Sequence, residues 1–156
     1  MFEIDIPGFD LLKIEHLVMD YNGTLALDGH LQLGVPEDLR CLAQSLRLHV
    51  ITADTNRRAG EQLAGLPVTL HIIPAEAQAE TKLEYIRELG ENRVIAIGNG
   101  RNDRLMLKAA ALGIAVIQKE GTAAAAIQNA DILAPNISDA LDLLKYPRRL
   151  ISTLRS

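Results

Sequence analysis

The sequence predicts an α/β fold in which helices cover both faces of a mainly parallel sheet. Short apolar runs alternate along the chain with segments of helical spacing, an order that is typical of repeated strand–helix–strand units. The runs are continuously apolar, as expected for strands that are buried on both faces. Aromatic residues form only 3% of the chain and hydrophobic residues 48%, so we expect an aliphatic core.

Six apolar runs are predicted strands, and the first of them ends directly before Asp20. In chain order the runs cover residues 16–19, 48–51, 68–73, 94–97, 113–117 and 132–134. Between them, stripes of apolar residues at helical spacing begin at Leu39, Ala79 and Ile137 and predict amphipathic helices. Pro36 fits the first turn of the helix that carries the first stripe, since that turn leaves its amide hydrogens unbonded.

Two segments depart from this alternation. In residues 24–35, leucines alternate with other residues around Asp28 and Gly29, and this pattern predicts a β-hairpin directly after the first strand. The C-terminal residues 146–156 carry three arginines, and we interpret them as a solvated helix end.

Length and composition exclude several classes of protein. The 156 residues suit a single domain over residues 1–156. With 16 basic and 20 acidic residues the net charge is −4, whereas nucleic-acid-binding proteins usually have a basic excess. The single cysteine, Cys41, excludes an internal disulfide and a multi-cysteine zinc site. No apolar run approaches about 18 residues and the acidic N-terminus does not resemble a signal peptide, so we expect no membrane span and a cytoplasmic protein.

Polar residues, with small turn residues among them, follow the predicted strands at the sheet edge where parallel α/β proteins bind ligands. They are Asp20, Asn22, Gly23, Thr52, Ala53, Asn99, Asn102 and Asp103, and Lys82 lies early in the helix after the third strand. These residue types suit phosphoryl chemistry. A carboxylate can attack phosphorus, oxygen ligands can hold Mg²⁺, and a hydroxyl and a lysine can bind phosphate oxygens. Each feature alone is also common in ordinary turns and caps, and the sequence contains neither a GxGxxG fingerprint nor a P-loop.

Together these segments resemble the four ordered motifs of the haloacid dehalogenase superfamily. The segments are DYNGTL at 20–25, ITAD at 51–54, Lys82, and GNGRND at 98–103. The likeness is closest to the phosphorylation domain of P-type ATPases, whose DKTGTL, TGD, lysine and GDGxND signatures come in this order, and it spans about residues 15 to 145. The resemblance implies a three-layer α/β/α Rossmannoid domain without a cap, a sheet of order 5-4-1-2-3, and a small hairpin as the flap.

The resemblance also implies roles for individual residues. Asp20 would be the nucleophile that forms an aspartyl-phosphate, and the catalytic set would be Asp20, Asn22, Thr52 and Lys82. The implied phosphate-binding set is Gly23, Thr52, Ala53, Lys82 and Asn102. The implied Mg²⁺ set is Asp20, Asn22 through its carbonyl, Asn99 and Asp103.

Two positions depart from the family's motifs. Asn22 stands where phosphatases of the superfamily usually carry an aspartate that transfers protons, and such transfer typically accelerates a reaction 10²–10⁴-fold. Asn99 stands where the family has a metal-binding aspartate, so Mg²⁺ should bind weakly, although Asp54 could partly compensate.

These features predict a slow, Mg²⁺-dependent phosphohydrolase that acts on a phosphorylated small molecule or macromolecule. With only a hairpin near the site, specificity would come from the hairpin, a large substrate or a partner subunit, so a homo-oligomer is plausible. The alternative is a catalytically weakened domain with a phosphate-binding, regulatory or assembly role, which Asn22 and Asn99 would favour. We predict structural roles for His49 and His71, which alternate with apolar residues in predicted strands.

Overall fold

The computed structural model describes residues 1–53 and 57–156 of the chain. Within those ranges the strands are β1 (Phe2–Ile6), β2 (Asp10–Ile14), β3 (His16–Asp20), β4 (Ala26–Leu27), β5 (His30–Leu31), β6 (Arg47–Thr52), β7 (Val68–Ile72), β8 (Val94–Gly98), β9 (Leu112–Val116) and β10 (Ile132–Ala134). The helices are α1 (Val35–Leu42), α2 (Arg58–Leu63), α3 (Gln78–Leu89), α4 (Arg104–Ala109), α5 (Ala124–Asn129), α6 (Ile137–Lys145) and α7 (Arg148–Leu154), with 3₁₀ turns at Glu91–Arg93 and Arg101–Asp103.

The central sheet has six strands in the order β10-β9-β8-β3-β6-β7, and every pairing within it is parallel. The predicted order 5-4-1-2-3 is confirmed, and β10 extends the sheet at one edge. β3, which ends in Asp20, lies between β6 and β8. The carboxyl ends of these three strands therefore meet at one edge of the sheet.

Helices cover both faces of this sheet, as predicted. The helices α1, α2, α6 and α7 contribute buried residues to the larger apolar cluster, and α3, α4 and α5 contribute to the smaller one. Strand β3 supplies both clusters, because Leu17 and Met19 point to one face and Val18 to the other. Burying such a side chain contributes about 1.5–3 kcal/mol, so the strand that carries Asp20 is held firmly from both sides.

An N-terminal hairpin of β1 and β2 lies outside the central sheet and was not predicted. Its strands are antiparallel, and their alternating side chains Ile4, Ile6, Leu12 and Ile14 join the larger apolar cluster. Alternation of this kind is the ordinary pattern of a half-buried strand. Helix α7 packs on this hairpin through buried Leu150, so the C-terminal segment is more than a solvated end.

The predicted hairpin in residues 24–35 is present as β4 and β5. Asp28 and Gly29 form its turn with φ angles of 51° and 82°, the left-handed conformation that such a two-residue turn requires. The segment between β3 and α1 consists of this hairpin and turns, so no cap domain is inserted there. Among the described residues, none of the helices has the length and apolar character needed to cross a membrane.

Three histidines and a tyrosine form a chain of contacts between the sheet and α3. His16 Nδ1 lies 3.0 Å from His49 Nε2, and His49 Nδ1 lies 2.7 Å from the Tyr85 hydroxyl. The ring of His71 lies 4.5 Å from that of Tyr85, centroid to centroid. One imidazole of the first pair must donate and the other accept, so protonating both would break their hydrogen bond.

Burial lowers the pKa of His16, and burial together with the neighbouring His16 lowers the pKa of His49 to about 4. A histidine with a depressed folded-state pKa contributes stability that is present above its unfolded value, near 6.5, and is lost as the pH falls toward the folded value. We therefore expect the free energy of unfolding of the wild type to fall between pH 7 and pH 4.5. The fall should be about 1–3 kcal/mol larger than the fall for His49→Gln over the same range. Urea denaturation across this range measures the difference. His30→Gln, at an exposed hairpin position, should follow the wild type; equal pH profiles for all three proteins would contradict the prediction.

Candidate active site

The polar residues predicted from the strand ends converge on one cleft of about 310 Å³. Its lining residues are Asp20, Asn22, Thr52, Ala53, Gln78, Asn99, Gly100 and Asn102. Asp20 ends β3, Thr52 ends β6, and Asn99 follows β8, so the parallel sheet itself brings these residues together. This is the edge of an open α/β sheet at which ligands bind.

Beneath the cleft, one lysine is shared by two carboxylates. Lys82 Nζ donates to Asp20 Oδ1 at 2.9 Å and to Asp103 Oδ1 at 2.7 Å, and its side chain is only 1% exposed. Its third contact is a longer one, 3.4 Å to Asn102 Oδ1. A buried ammonium needs such partners, because an unpaired charge away from water costs several kcal/mol.

Both carboxyl oxygens of Asp103 accept hydrogen bonds from the protein. Its Oδ2 accepts hydrogen bonds from the backbone amides of Asn99 at 3.0 Å and Gly100 at 2.9 Å, while Oδ1 accepts from Lys82. A side chain at Gly98 would place its Cβ 2.5 Å from the Asp103 carboxyl, so glycine is required for this close approach. Asp103 thus fixes the turn after β8 and the position of Lys82, and it does not line the cleft.

The two carboxylates carry one more negative charge than the single ammonium of Lys82 can neutralise. Burial and the nearby Asp103 carboxylate raise the pKa of Asp20 to about 7, against the opposing effect of Lys82. The two carboxylates likewise raise the pKa of Lys82, more than burial lowers it, so the lysine stays protonated. A cation or an additional proton near Asp20 would relieve this excess charge.

The turn after Asp20 is shaped by glycine and by Asn99. Gly23 has a φ of 77°, and a Cβ there would lie 2.3 Å from Asn99 Nδ2, so a larger residue would displace the amide. The buried Thr24 hydroxyl lies 3.2 Å from Asn99 Oδ1 and 3.5 Å from Asp20 Oδ2. Thr24 was not predicted as a site residue, although it belongs to the motif that begins with Asp20.

The predicted site residues divide into three groups. Those that line the cleft are Asp20, Asn22, Thr52, Ala53, Asn99 and Asn102. Lys82 and Asp103 lie beneath it, and Gly23 lies in the turn, where its amide donates to the Ala26 carbonyl at 2.9 Å. Asp54 lies outside the described residues. Gln78 was missed: it begins α3 and accepts a 2.7 Å hydrogen bond from Asn102 Nδ2, and no motif in the sequence marked it.

The cleft offers a small number of oxygen ligands, which suit a hard cation. The Asp20 carboxylate and the oxygens of Asn22 and Asn99 are the type of ligand that Mg²⁺ accepts, and Mg²⁺ keeps several waters in such sites. Among the described residues, no cluster of three or more histidine, cysteine or acidic side chains is placed to bind a metal. The residues therefore fit a weakly held Mg²⁺ better than a zinc or other transition-metal centre.

A family model described as haloacid dehalogenase-like hydrolase matches residues 54–140, more than half of the chain. The chain belongs to this family. The predicted superfamily is thereby confirmed, and so is the class of the protein, a hydrolase. Its fold, with a mostly parallel sheet and no inserted cap between β3 and α1, is that of a small member.

Two curated proteins have related sequences. An uncharacterized protein of Methanocaldococcus jannaschii is 47% identical over 78 residues, which cover 47% of this chain and 84% of that protein. The phospholipid-transporting ATPase tat-1 of Caenorhabditis elegans is 30% identical over 78 residues, or 50% of this chain. The match covers only 7% of the transporter, so the likeness to P-type ATPases concerns a small part of those proteins.

Solved structures share the fold over almost the whole chain. A hydrolase of the same superfamily (subfamily III A) from Legionella pneumophila has a TM-score of 0.72 at 17% identity, covering 90% of this chain and 87% of that one. The 3-deoxy-D-manno-octulosonate 8-phosphate phosphatase of Moraxella catarrhalis, solved with magnesium and phosphate ions and a KDO molecule, has a TM-score of 0.65 at 18% identity. That match covers 89% of this chain and 90% of the phosphatase. At these identities the likeness establishes the fold.

The excess charge around Lys82 predicts that Asp20 lowers the stability of the ligand-free protein. The pKa of Asp20 is higher in the folded protein than in the unfolded chain. Ionisation of Asp20 therefore lowers the free energy of unfolding as the pH rises from about 4 to about 7. Asp20→Asn removes this charge and keeps an oxygen for Lys82, so we expect its free energy of unfolding to exceed that of the wild type by about 1–3 kcal/mol at pH 8 and by little at pH 4.

Urea denaturation at both pH values, without divalent cations, measures this effect. Asp103→Asn is the matched control, because it neutralises the other carboxylate but disturbs an oxygen that accepts from two backbone amides. We expect that control to be less stable than the wild type by about 1–3 kcal/mol. An Asp20→Asn protein that is less stable than the wild type at pH 8 would contradict the prediction.

Proposed function

We propose that the protein is a Mg²⁺-dependent phosphohydrolase in which Asp20 forms a covalent aspartyl-phosphate. The observation that carries the proposal is the position of Asp20, at the end of a central strand, on the cleft, with one carboxyl oxygen held by buried Lys82. Lys82 fixes the orientation of the carboxylate from below. A positioned carboxylate is a suitable nucleophile for phosphorus.

In the first step, an oxygen of Asp20 attacks the phosphorus of the substrate. The bond between phosphorus and the leaving-group oxygen breaks, and that oxygen departs with the electron pair and takes a proton from solvent. In the second step, a water oxygen attacks the phosphorus and the water releases a proton to solvent, the bond to Asp20 breaks, and inorganic phosphate leaves. The Asp20 carboxylate is regenerated, so the reaction is a hydrolysis.

We propose that the phosphate oxygens are bound by groups that line the cleft or lie directly beneath it. Thr52 and Ala53 follow β6 on one side, and Asn102 lies on the other. Lys82 could exchange its 3.4 Å contact with Asn102 for a phosphate oxygen and keep both shorter carboxylate contacts. Gly23 would contribute by allowing the turn, since its own amide already donates to Ala26.

Asp20, the carbonyl of Asn22 and the side chain of Asn99 would hold Mg²⁺, and Asp103 would support the site from beneath. Bound Mg²⁺ would neutralise phosphate charge and bring the pKa of Asp20 down again. Because Asp20 is the one carboxylate among these cleft-lining ligands, we expect a high Mg²⁺ requirement, which substrate phosphate would reduce.

The substrate is proposed to be a phosphorylated small molecule or a phosphoryl group on a larger one. One structural relative is by name a sugar-phosphate phosphatase. The β4–β5 hairpin does not contribute to the lining of the cleft, and no cap domain is inserted between β3 and α1. A hairpin flap, a neighbouring subunit of a homo-oligomer or a large substrate would therefore have to exclude water. We also propose that residues 1–156 act as one domain in the cytoplasm.

A second candidate function is phosphate binding without rapid turnover, in a regulatory or assembly role. Two amides favour it. Asn22 is exposed at the position from which a proton would be transferred, and an amide cannot transfer one. Asn99 lines the cleft with an uncharged side chain where a charged ligand would hold Mg²⁺ more tightly.

The first test concerns the nucleophile. Asp20→Asn should reduce Mg²⁺-dependent hydrolysis of an aryl phosphate to the rate of a protein-free control, because an amide is not a competent nucleophile. Asp28→Asn, a matched change on the exposed hairpin turn, should retain the wild-type rate. Mg²⁺ with beryllofluoride, an analogue of the acyl-phosphate, should raise the melting temperature of the wild type but not of Asp20→Asn. Undiminished hydrolysis by Asp20→Asn rules out the proposed nucleophile.

The second test restores acids at the two amide positions. Asn22→Asp supplies a proton-transfer group, so we expect kcat to rise, by about 10-fold or more, at little change in the Mg²⁺ requirement. Asn99→Asp adds a charge at the metal, so it should lower the Mg²⁺ concentration needed for half-maximal rate and change kcat little at saturating metal. Asn99→Asp also loses the donor that bonds the Gly121 carbonyl at 3.1 Å, so its stability should be measured in parallel.

The double variant should combine both effects, because proton transfer and metal occupancy are separate steps. If neither single variant changes either quantity, the amides do not limit catalysis. Wild-type turnover then distinguishes a competent enzyme from the phosphate-binding alternative.

A further inference from the structure

We propose that Gln118, which follows β9 and belongs to none of the four motifs, is a positioning residue for the turn that carries the reacting groups. The inference rests on the proposed function, since it assigns Gln118 to the site built around Asp20. Gln118 does not line the cleft, so it would act through the backbone of residues 21–24.

The side-chain amide of Gln118 makes four hydrogen bonds. Its Nε2 donates to the carbonyls of Gly23 and Thr24, both at 2.9 Å. Its Oε1 accepts from the backbone amide of Ile137 at 2.9 Å and from Gln32 Nε2 at 3.1 Å. A single side chain therefore joins the turn after Asp20, the hairpin segment and the first residue of α6.

The orientation of this amide is fixed by its partners. A backbone carbonyl can only accept and a backbone N–H can only donate, so Nε2 must face Gly23 and Thr24 and Oε1 must face Ile137. Only a primary amide supplies two donors and two acceptor lone pairs at this length. A glutamate would set a charged oxygen against two carbonyls, and a methionine of similar shape would lose all four hydrogen bonds, leaving the Thr24 carbonyl with Gln32 as its partner.

The turn that Gln118 holds is the one on which the proposed chemistry depends. Gly23 N–H donates to the Ala26 carbonyl, and Ala26 N–H donates to the Tyr21 carbonyl. These bonds and those of Gln118 engage neither the amide nor the carbonyl of Asn22, the proposed Mg²⁺ ligand. Gln118 would thus fix the residues on either side of Asn22 and leave Asn22 for the ligand.

A second amide reinforces this arrangement. Gln32 Nε2 donates to the Thr24 carbonyl at 3.1 Å, so that carbonyl accepts from two glutamines. Thr24 also contacts Asp20 and Asn99 through its hydroxyl, so a shift of its backbone would move both contacts. Displacing a reacting group by about 1 Å can reduce a rate about 100-fold, so a change at Gln118 should reach the chemistry although it touches no substrate.

The test compares Gln118→Met with Gln62→Met. Gln62 is a suitable control because its Oε1 also accepts a backbone amide of the hairpin, that of Leu31 at 3.0 Å, and it makes no contact with the turn. For Gln118→Met we expect at least a 10-fold fall in kcat on an aryl phosphate and a several-fold rise in the Mg²⁺ concentration for half-maximal rate. The rise in melting temperature produced by Mg²⁺ with beryllofluoride should be at least halved. Gln62→Met should match the wild type in kcat, in the Mg²⁺ concentration for half-maximal rate and in the rise in melting temperature, even if its melting temperature without ligand differs.

Amide hydrogen exchange provides a readout that does not require turnover. In Gln118→Met the amides of Gly23, Thr24 and Ala26 should exchange at least 10-fold faster than in the wild type, and in Gln62→Met they should not. Suppose that the wild type binds Mg²⁺ with beryllofluoride, and that Gln118→Met has the metal requirement, kcat and exchange rates of the wild type. That result overturns this inference alone. A wild type that binds neither Mg²⁺ nor beryllofluoride overturns the proposed function, and the assignment of Gln118 with it.

Discussion

The structure depends on one buried lysine that two aspartates share. Lys82 comes from α3, Asp20 from the end of β3 and Asp103 from the turn after β8, so their contacts join three elements that are distant in sequence. The charged Lys82 could not remain buried without a carboxylate partner, because an isolated ion in the interior is strongly unfavourable. Burial and the one excess negative charge of the network raise the pKa of Asp20, so a cation beside it would relieve that charge.

Asp103 and Asp20 contact the same lysine but lie in different places. Asp103 accepts hydrogen bonds from Lys82 and from two backbone amides and so holds the geometry of the turn after β8, while Asp20 borders the cleft. Glycines at 98 and 23 make the close approaches possible, one against Asp103 and the other against Asn99. These contacts fix the position of Asp20 at the edge of the cleft.

The sequence predicted the central sheet and the convergence of polar residues, because continuous apolar runs report burial and parallel strands must end at a common edge. Other features were beyond its reach. The engagement of Asp103 and the four bonds of Gln118 depend on where backbone amides and carbonyls point, which residue type and spacing do not encode. The N-terminal hairpin does have a signal in the sequence, the alternation of Ile4 and Ile6 in one strand and of Leu12 and Ile14 in the other.

Because β3 is buried on both faces, the number of residues in the strand before Asp20 is fixed. All five of its residues are buried, and its apolar side chains Leu17, Val18 and Met19 belong alternately to opposite apolar clusters. Inserting or deleting one residue here would exchange the two faces and move the carboxylate by about 3.3 Å along the strand, out of reach of Lys82. Substitutions in β3 can therefore exchange side chains of similar volume, but an insertion or deletion there would break the contact between Asp20 and Lys82.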